Sequence, residues 1–381
     1  MRLIGVEEEL LVVDPETGLN STVTQRALDV AEHEAAADAA AEAEQVSRPD
    51  GPEVEPELHQ QQIETTNEPV ESLTDLAESI RRGRRMAGTA VKAVGGVVVA
   101  SGSSPLSDPS GEVTRDDRYE RIVAEFGQVA LSAVVCGMHV HVDVADREEA
   151  VVVIDRIRPW LPVLLAISSN SPFSAGEDTG YASWRHQTWR RWPAAVQCEP
   201  FGDAAAYEAA VEQVLASGAA LDRGMLYLDA RPAEGLSTVE IRINDVCTDI
   251  DDAVLVAGLA RGLVQALAQH ATEGRPMPSW RTQMLTASMW RASRYGLAGE
   301  LVDPQSGELA PAADVVASAL AFVEPSLEDS EDRSTLGGLA ETVLGRGTGA
   351  QQQRAAQGSD GDIQPVMQDL IARTQQSWQQ E

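Results

Sequence analysis

Hydrophobic and polar positions alternate along several short stretches of this chain, and long segments with helical periodicity separate them. The alternation predicts strands, because successive side chains of a strand point to opposite faces of a sheet. The periodic segments predict helices. The predicted strands cover residues 2–13, 54–65, 96–100, 134–144, 225–230 and 237–244, and the predicted helices cover 24–45, 72–93, 117–131, 147–167, 204–217, 250–272, 279–296, 312–328 and 363–378.

Strands with hairpin-like neighbours among long helices favour an α+β fold, in which one mixed or antiparallel sheet has helices outside it. The chain has 381 residues, which is enough for one large domain or two ordinary ones, with an ample core. We find no internal repeat and expect a single domain over residues 1–381. Residues 345–362 are rich in Gly and Gln and are expected to form a flexible segment before a C-terminal helix.

The charge of the chain argues against several classes of function. Its net charge of −31 disfavours nucleic acid and anionic membranes as partners. Lys92 is the only lysine, so a phosphate site must use metal, arginine and backbone N–H groups. Neither G-x-x-x-x-G-K-[ST] nor a strand followed by G-x-G-x-x-G occurs, which disfavours the common nucleotide-binding folds.

The N-terminus and the cysteines predict a reduced, cytoplasmic protein. The first residues enter an acidic strand without the apolar segment of a signal peptide. No apolar run reaches the ~20 residues that a membrane span needs. Cys136, Cys198 and Cys247 fit neither a zinc site nor a disulfide framework, so buried, reduced thiols are expected.

Acidic side chains recur on the first two predicted strands. In Gly5-Val6-Glu7-Glu8-Glu9-Leu10, Glu7 and Glu9 project from one face, where two like charges are destabilising unless a cation lies between them. On the second strand Glu64 shares a face with Gln60 and Gln62, and Glu57 reaches that face only through a bulge or a bend. A solvated edge face explains the first pattern equally well, and a polar exposed strand explains the second slightly better than a ligand set does.

Two later strands carry polar pairs opposite apolar faces. His139 and His141 lie opposite Met138, Val140 and Val142, and histidines two apart on a strand can bind a metal or form ordinary hydrogen bonds. In the strand over 237–244, the side chains of Glu240, Arg242 and Asn244 project opposite Val239, Ile241 and Ile243. That strand could equally be solvated, with a diagonal ion pair.

The combination is more informative than any one strand. If these faces line one cavity of a curved sheet, they bring together carboxylates and an imidazole that would hold two or three divalent ions against a triphosphate. The residues concerned are Glu7, Glu9, Glu64, His139 and Glu240.

The motifs resemble a known family. G-V-E-E-E-L, E-x-x-x-x-x-x-E-T-T, C-G-M-H-V-H-V and T-V-E-I-R-I-x-D are similar in order and spacing to the glutamate–cysteine ligases of the second type, or carboxylate–amine ligases, over roughly residues 3–300. This resemblance implies the glutamine-synthetase-like fold, a curved, mainly antiparallel sheet that forms a funnel around ATP and Mg²⁺ or Mn²⁺, with helices outside. It implies as metal ligands Glu7, Glu9, Glu57, Glu64, His139 and Glu240.

The resemblance also assigns roles to arginines. Arg242 would meet the transferred phosphate beside Glu240. Arg185 would bind the α-carboxylate of the substrate, with Arg191 further along the same Arg/Trp-rich segment. Arg291 and Arg294 would reach the nucleotide. A surface helix with cation–π pairs explains the first segment equally well, and neutralisation of acidic neighbours explains the last two arginines.

The activity implied is ATP-dependent ligation of glutamate to an amine through a γ-glutamyl phosphate, with cysteine as the leading acceptor. The alternatives are a metal-dependent hydrolase with the same carboxylates, and a non-catalytic protein that binds a nucleotide or an amino acid. The partners expected are small molecules. The sequence leaves the acceptor, the base and the oligomeric state open, with a homodimer as one option.

Overall fold

The computed structural model describes residues 1–42, 53–197, 199–277, 279–327 and 329–379. Its strands are β1 Ile4–Val13, β2 Glu53–Pro56, β3 Gln62–Thr66, β4 Val97–Val99, β5 Gly137–Asp143, β6 Phe173–Ser174, β7 Glu177–Asp178, β8 Ala230–Pro232, β9 Thr238–Asp245, β10 Glu300–Val302 and β11 Leu309–Pro311. Its α-helices are α1 Thr24–Glu42, α2 Leu73–Ala93, α3 Asp117–Phe126, α4 Gln128–Leu131, α5 Arg147–Ile157, α6 Leu161–Ser168, α7 Trp184–Trp189, α8 Ala204–Ala216, α9 Ile250–Thr272, α10 Thr282–Tyr295, α11 Ala312–Val323, α12 Ser330–Arg346, α13 Gly349–Ala356 and α14 Gln364–Gln379.

One seven-stranded sheet organises the fold. Its strand order is β2-β3-β1-β5-β9-β8, with β4 also paired to β1, and all these pairings are antiparallel. β1 pairs through Glu7–Leu11 with β3 on one edge, and its other edge pairs first with β5 and then with β4. The expected α+β architecture with a mainly antiparallel sheet is confirmed.

The apolar face of the sheet packs against long helices. Val6, Met138, Val140 and Ile241 lie in one buried cluster together with much of α9. This helix also contacts α2, α5, α6, α11 and α12, so it lies at the centre of the helical layer. Among the helices that the structure describes, none combines the length and the apolar composition needed to cross a membrane.

One buried ion pair fastens β1 to the helical layer. Glu8 projects opposite Glu7 and Glu9, and its Oε1 lies 2.6 Å from Nη2 of Arg84 on α2, with neither side chain exposed. Arg84 also donates to the carbonyl oxygens of Cys247 and Thr248, just after β9. A buried arginine needs such partners, because an unpaired charge in the core is strongly destabilising.

Several predicted elements differ from those observed. The strand predicted over 54–65 is two strands, β2 and β3, separated by a turn. The helix predicted over 147–167 is interrupted between α5 and α6, where Pro159 lacks the N–H that a continuous helix requires. The strand predicted over 225–230 begins only at Ala230, after a short 3₁₀ turn.

The C-terminal region contains more helix than its composition indicated. α12 was not predicted, because paired glycines interrupt its apolar pattern. The segment 345–362, for which we predicted flexibility, contains α13, whose Gln353 is buried and donates to the carbonyl oxygen of Asn170. Tertiary hydrogen bonds thus favour a helix in a segment whose glycine and glutamine content had predicted a flexible connection. The single domain over 1–381 stays a prediction.

Two of the three cysteines can be located. Cys136 and Cys247 are buried free thiols, as expected, and burial raises the pKa of each above its ordinary value. Cys198 lies outside the described residues. The buried pair therefore has the apolar, protonated character of structural cysteines.

Candidate active site

The register of the sheet brings the predicted polar side chains to one face. Glu7 pairs directly with His139, Glu9 with Glu64, and His141 with Glu240. Directly paired residues in antiparallel strands point to the same face. Four strands that are distant in sequence therefore present their acidic and imidazole groups side by side, opposite the helix-covered face.

One half of this cluster consists of Glu7, His139 and Glu240. Their ligand atoms all lie within 4.8 Å of one another. The Nδ1 atom of His139 is 3.1 Å from Oε2 of Glu7 and 3.9 Å from Oε1 of Glu240. Two carboxylates and one imidazole at this separation can share a divalent cation.

The other half consists of Glu9, Glu57 and Glu64, whose carboxylate oxygens also lie within 4.8 Å of one another. Strict alternation along one strand would point the side chain of Glu57 to the face opposite that of Glu64. The chain bends between β2 and β3, and this bend brings Glu57 to the other two carboxylates. His139 joins the two halves, since its Nε2 atom lies 3.6 Å from Oε1 of Glu9. The six predicted ligands thus form one continuous cluster.

The charges of the cluster have opposite effects on its carboxyl groups. Burial opposes ionisation of Glu7, but hydrogen bonds from His139 and His141 outweigh it and hold the pKa of Glu7 well below its usual range. Burial and the negative charge of Glu57 raise the pKa of Glu64 well above its usual value. This repulsion is what a bound cation would relieve.

Glu240 lies between two arginines. Arg242 donates to its Oε1 atom, and Nε of Arg231 lies 2.7 Å from its Oε2 atom. Burial alone would raise the pKa of Glu240, but the positive charges of Arg242 and Arg231 lower it well below the ordinary value. Arg231 was missed from the sequence because the predicted strand ended at residue 230, one position before it.

A β-bulge shapes the end of β9. The register with β5 shifts between Met138 and Val140, so Asn244 pairs with Met138 on the helix-covered side. Alternation had predicted that Asn244 shares the face of Glu240, and that prediction is wrong. Nη1 of Arg242, at the bulge, lies 3.5 Å from Nδ1 of His139, so it borders the cluster.

His141 supports the cluster from its edge. Its Nε2 atom lies 3.1 Å from Oε1 of Glu7, and its Nδ1 atom lies 3.0 Å from Oγ1 of Thr238. The ring thus connects Glu7 with the start of β9. For His141, the structure therefore matches the option of ordinary hydrogen bonds. His139, by contrast, lies within the cluster of possible metal ligands.

Two cavities meet at Glu57 and Arg242, which line both. The polar cavity has a volume of about 240 Å³. Its charged and polar walls are formed by Glu7, Glu57, Glu64, His139, His141, Arg231, Glu234, Glu240 and Arg242. The aromatic cavity has a volume of about 140 Å³. It is lined by Tyr119, Trp189, Trp192, Tyr227 and aliphatic side chains, together with the polar side chains of Glu9, Glu57, His59, Gln62, Arg118 and Arg242.

The other predicted arginines line neither cavity. Arg185 is 1% exposed and donates to the carbonyl oxygens of Arg242 and Ile243, so it lies beneath the sheet surface. Arg191 is exposed on the turn after α7. The structure therefore does not bring the predicted substrate ligands to the acidic cluster.

The two arginines expected at the nucleotide are engaged elsewhere. Nε of Arg291 donates to the carbonyl oxygen of Glu300 at 2.7 Å. Arg294 lies over the rings of Tyr181 and Tyr295. Arg291 also pairs with Glu300 at 3.1 Å, which matches the alternative of an acidic neighbour, whereas the contacts of Arg294 are aromatic.

The residues present fit divalent cations. Each half of the cluster supplies three ligand atoms, and hard oxygen donors predominate, as Mg²⁺ prefers. His139 is 3% exposed, and its Nε2 atom has no hydrogen-bond partner among the groups that the structure describes. A buried nitrogen without a partner is costly unless a ligand engages it.

Comparison with known proteins gives a consistent result. The model of the family described as glutamate-cysteine ligase family 2 matches residues 3–369. A relative from Nocardioides sp., named "Putative glutamate--cysteine ligase 2-1", is 42% identical over 380 residues, which cover 100% of this chain and 97% of the relative. A relative from Frankia alni, whose name differs only in its final numeral, is 41% identical over 373 residues, or 98% of this chain and 97% of that protein.

Solved structures share the fold at low sequence identity. The glutamate–cysteine ligase of Francisella tularensis, solved in complex with AMP, matches with a TM-score of 0.67 at 10% identity, over 100% of this chain and 89% of that one. A bifunctional glutathione synthetase from Pasteurella multocida matches with a TM-score of 0.67 at 14% identity, over 100% of this chain and 53% of that one.

Proposed function

Since the chain belongs to glutamate-cysteine ligase family 2, we propose that it is an ATP-dependent ligase that joins the γ-carboxylate of glutamate to an amine. Cysteine is the acceptor that the names of its relatives specify. The observation that carries this proposal is the cluster of five carboxylates and one histidine beside Arg242, where two cavities meet. Such a site suits a polyphosphate on one side and a second substrate on the other.

The chemistry of amide formation explains why the reaction requires ATP. A carboxylate does not react with an amine at neutral pH, because its leaving group would be oxide. Transfer of the γ-phosphoryl group of ATP to the γ-carboxylate releases ADP and forms an acyl phosphate. The leaving group of the next step is then phosphate instead of oxide. Attack of the amine nitrogen on the acyl carbon then forms the amide bond and breaks the bond to the phosphate oxygen. The phosphate leaves with the electron pair, and the amine gives up a proton.

The acidic residues would hold the metal ions that this transfer requires. We propose Glu7, His139 and Glu240 as one set of ligands, and Glu9, Glu57 and Glu64 as the other. When bound, divalent ions would neutralise the charge of the β- and γ-phosphates. The sheet orients each carboxylate before any ligand arrives, so little reorganisation is needed during the reaction.

Arg242 would act on the transferred phosphoryl group. Its guanidinium is held beside Glu240 and lines both cavities, so it can donate to oxygens that gain charge in the transition state. Interaction with Glu240 raises the pKa of Arg242 despite its burial, so it stays charged. Arg231 holds Glu240 from the other side and thereby positions Arg242.

The test is an ADP-release assay with ATP, Mg²⁺ and glutamate, with and without cysteine, followed by detection of γ-glutamylcysteine. We expect ADP release that depends on glutamate and on the metal, and addition of hydroxylamine should yield the glutamyl hydroxamate. ADP release at the same rate without glutamate would refute the ligase proposal. Turnover of amides or phosphoesters without ATP would favour a hydrolase instead.

A further inference from the structure

Arg185, on α7, lies behind the β-bulge that carries Arg242. The register of β5 and β9 shifts there, so that Arg242 and Ile243 together oppose the single residue His139. Nη2 and Nη1 of Arg185 donate to the carbonyl oxygens of Arg242 and Ile243 at 3.3 and 3.4 Å. Its Nε atom has no hydrogen-bond partner among the groups that the structure describes. The two arms of one guanidinium are therefore directed at the two residues of the bulge.

A bulge interrupts the regular hydrogen-bond ladder of a sheet and changes the direction of the side chains around it. In this sheet the guanidinium of Arg242 borders the cluster at His139, while Asn244 is turned to the helix-covered side. An arginine suits the support of such a bulge, because its planar fork donates in two fixed directions, whereas lysine has one mobile ammonium. The direction of the Arg242 side chain thus depends on Arg185, which lines neither cavity.

The guanidinium of Arg185 occupies space that only a glycine leaves free. A Cβ atom added to Gly137 of β5 would lie 2.1 Å from Nη2 of Arg185. Gly137 is not one of the residues with a positive φ, so the close packing of the arginine, and not a turn, accounts for glycine at this position. β5 and β9 therefore both contact the same guanidinium.

The last residue of β9, Asp245, holds α7 in place. Its Oδ1 atom accepts a hydrogen bond from Oγ of Ser183 at 2.8 Å, and its Oδ2 atom accepts one from Oγ of Ser171 at 2.7 Å. Ser183 caps α7, and Oγ of Ser171 accepts a hydrogen bond from the backbone N–H of Arg185. The guanidinium also lies over the ring of Trp189, 5.5 Å from its centroid. Both the backbone and the side chain of Arg185 are thus fixed before any substrate binds.

We infer that Arg185 is a positioning residue, which fixes the bulge of β9 and thereby directs Arg242 to the transferred phosphoryl group. The inference rests on the proposed function for the role of Arg242, and it assigns the orientation of that side chain to a residue behind the sheet. The resemblance had implied that Arg185 binds the α-carboxylate of the substrate. The geometry gives it a different role, because the side chain is 1% exposed and its donors are directed at the sheet backbone.

Arg185→Lys tests the inference, because it keeps the positive charge and removes the fork. We expect kcat to fall roughly 10²-fold, the size of effect found when a catalytic group is slightly displaced, with the KM values for glutamate and ATP unchanged. Steady-state kinetics that follow ADP measure all three quantities. A raised KM for glutamate with an unchanged kcat would overturn the inference and show that Arg185 binds substrate.

Arg261→Lys is the matched control, because Arg261 is a buried arginine of α9 that lines neither cavity. It pairs with Asp332 and donates to the carbonyl oxygen of Glu71. We expect this control to lower the Tm without lowering kcat. If Arg185→Lys behaves in the same way, the role of Arg185 is purely structural and the inference is wrong.

A double variant tests whether the effect passes through Arg242. Once Arg242→Lys has removed the fork that meets the phosphoryl group, there is no fork left to direct. Arg185→Lys should then lower kcat little further, since residues that act as a unit are not additive. Losses that multiply in the double variant would overturn the inference.

Gly137→Ala displaces the guanidinium while Arg185 is retained, and it provides a second variant if Arg185→Lys does not fold. The added Cβ would meet the end of a flexible side chain. The backbone N–H of Gly137 is held by Glu9, so the guanidinium should move and the strand should stay. We expect kcat to fall as in Arg185→Lys, and an unchanged kcat would contradict the inference.

The orientation of Arg242 can also be observed without turnover. In a crystal structure of the Arg185→Lys variant, we expect the guanidinium of Arg242 to leave its contacts with Glu240 and His139. If the wild-type protein releases no ADP in response to glutamate, the ligase proposal fails, and this structure still decides whether Arg185 directs Arg242. An unchanged position of Arg242 in the variant would overturn the inference whatever the activity.

Discussion

Arg242 occupies the point at which the polar and aromatic cavities meet, and its guanidinium already contacts Glu240 and His139. An arginine held in this way acts as a planar donor of fixed orientation, and a lysine at the same position would supply only a mobile point charge. The orientation of this one side chain therefore bears on the chemical step more than on the binding of ATP.

We expect Arg242→Lys to lower kcat by about 10²–10³-fold, the range found when one donor to a developing anion is removed. The KM for ATP should change much less, because the metal cluster is retained. Steady-state kinetics that follow ADP would measure both, with Arg333→Lys, an exposed arginine on α12, as the control. An equal loss in ATP affinity and kcat would mean that Arg242 binds the ground state.

Glu7 offers a second test at this scale, because it contacts His139 and His141. Glu7→Gln keeps the size of the side chain and removes its charge. We expect the Mg²⁺ concentration for half-maximal activity to rise about tenfold or more, with partial recovery at high Mg²⁺. Glu331→Gln, at an exposed position of α12, is the control. An unchanged metal requirement would exclude Glu7 as a ligand.

At the scale of secondary-structure elements, β1 has two different polar sides. Glu7 and Glu9 face the cluster, while Glu8 is buried against Arg84 of α2. Arg84 also binds the backbone after β9, so one side chain connects α2, β1 and the segment that follows the strand of Glu240 and Arg242. The position of the cluster strands therefore depends on an ion pair on the opposite face of the sheet.

We expect Arg84→Met to lower the free energy of unfolding by about 3–5 kcal/mol, because it leaves Glu8 buried without a counter-charge. The double variant Glu8→Gln with Arg84→Met should recover part of the loss. Chemical denaturation measures both. Arg81→Met on the same helix is the matched control, since its pair with Glu78 is partly exposed and should contribute about 1 kcal/mol or less. Equal losses for the two single variants would contradict the buried-pair argument.

At the scale of the whole molecule, the cluster concentrates like charges in a chain that is already strongly acidic. Its net charge is −31, and carboxylates from three strands and from the turn between β2 and β3 meet at one site. In the absence of a cation their repulsion opposes folding, since burial and then the negative charge of Glu57 raise the pKa of Glu64. Metal binding should therefore stabilise the entire fold and not only the site.

We expect Mg²⁺ to raise the Tm without ATP, since a ligand at 100 times its Kd adds about 2.7 kcal/mol to the stability of the folded state. Thermal unfolding with Mg²⁺, with EDTA, and with NaCl of equal ionic strength measures the specific part of this effect. Glu7→Gln should lose most of the Mg²⁺ increment. An equal rise in NaCl and in Mg²⁺ would show simple screening of charge and would contradict a specific site.

The sequence by itself determined which residues can form the cluster. Strand alternation is local, because each side chain points opposite to its immediate neighbours. Glu7, Glu9, His139 and Glu240 could therefore be assigned to faces before any strand order was known, and their faces agree with the observed register. Helix α9 was likewise predicted with its observed bounds, because its apolar pattern is long and uninterrupted.

The tertiary structure decided what those faces contact. Glu57 joins the cluster through a bend, Arg231 through its pairing with Glu240, and Asn244 leaves it through a bulge. The burial of Arg185 and the contact of the Trp189 ring with Tyr227 depend on segments far apart in sequence. Alternation reports only the orientation of neighbouring side chains, whereas these contacts depend on register shifts and packing between distant strands, which no local pattern encodes.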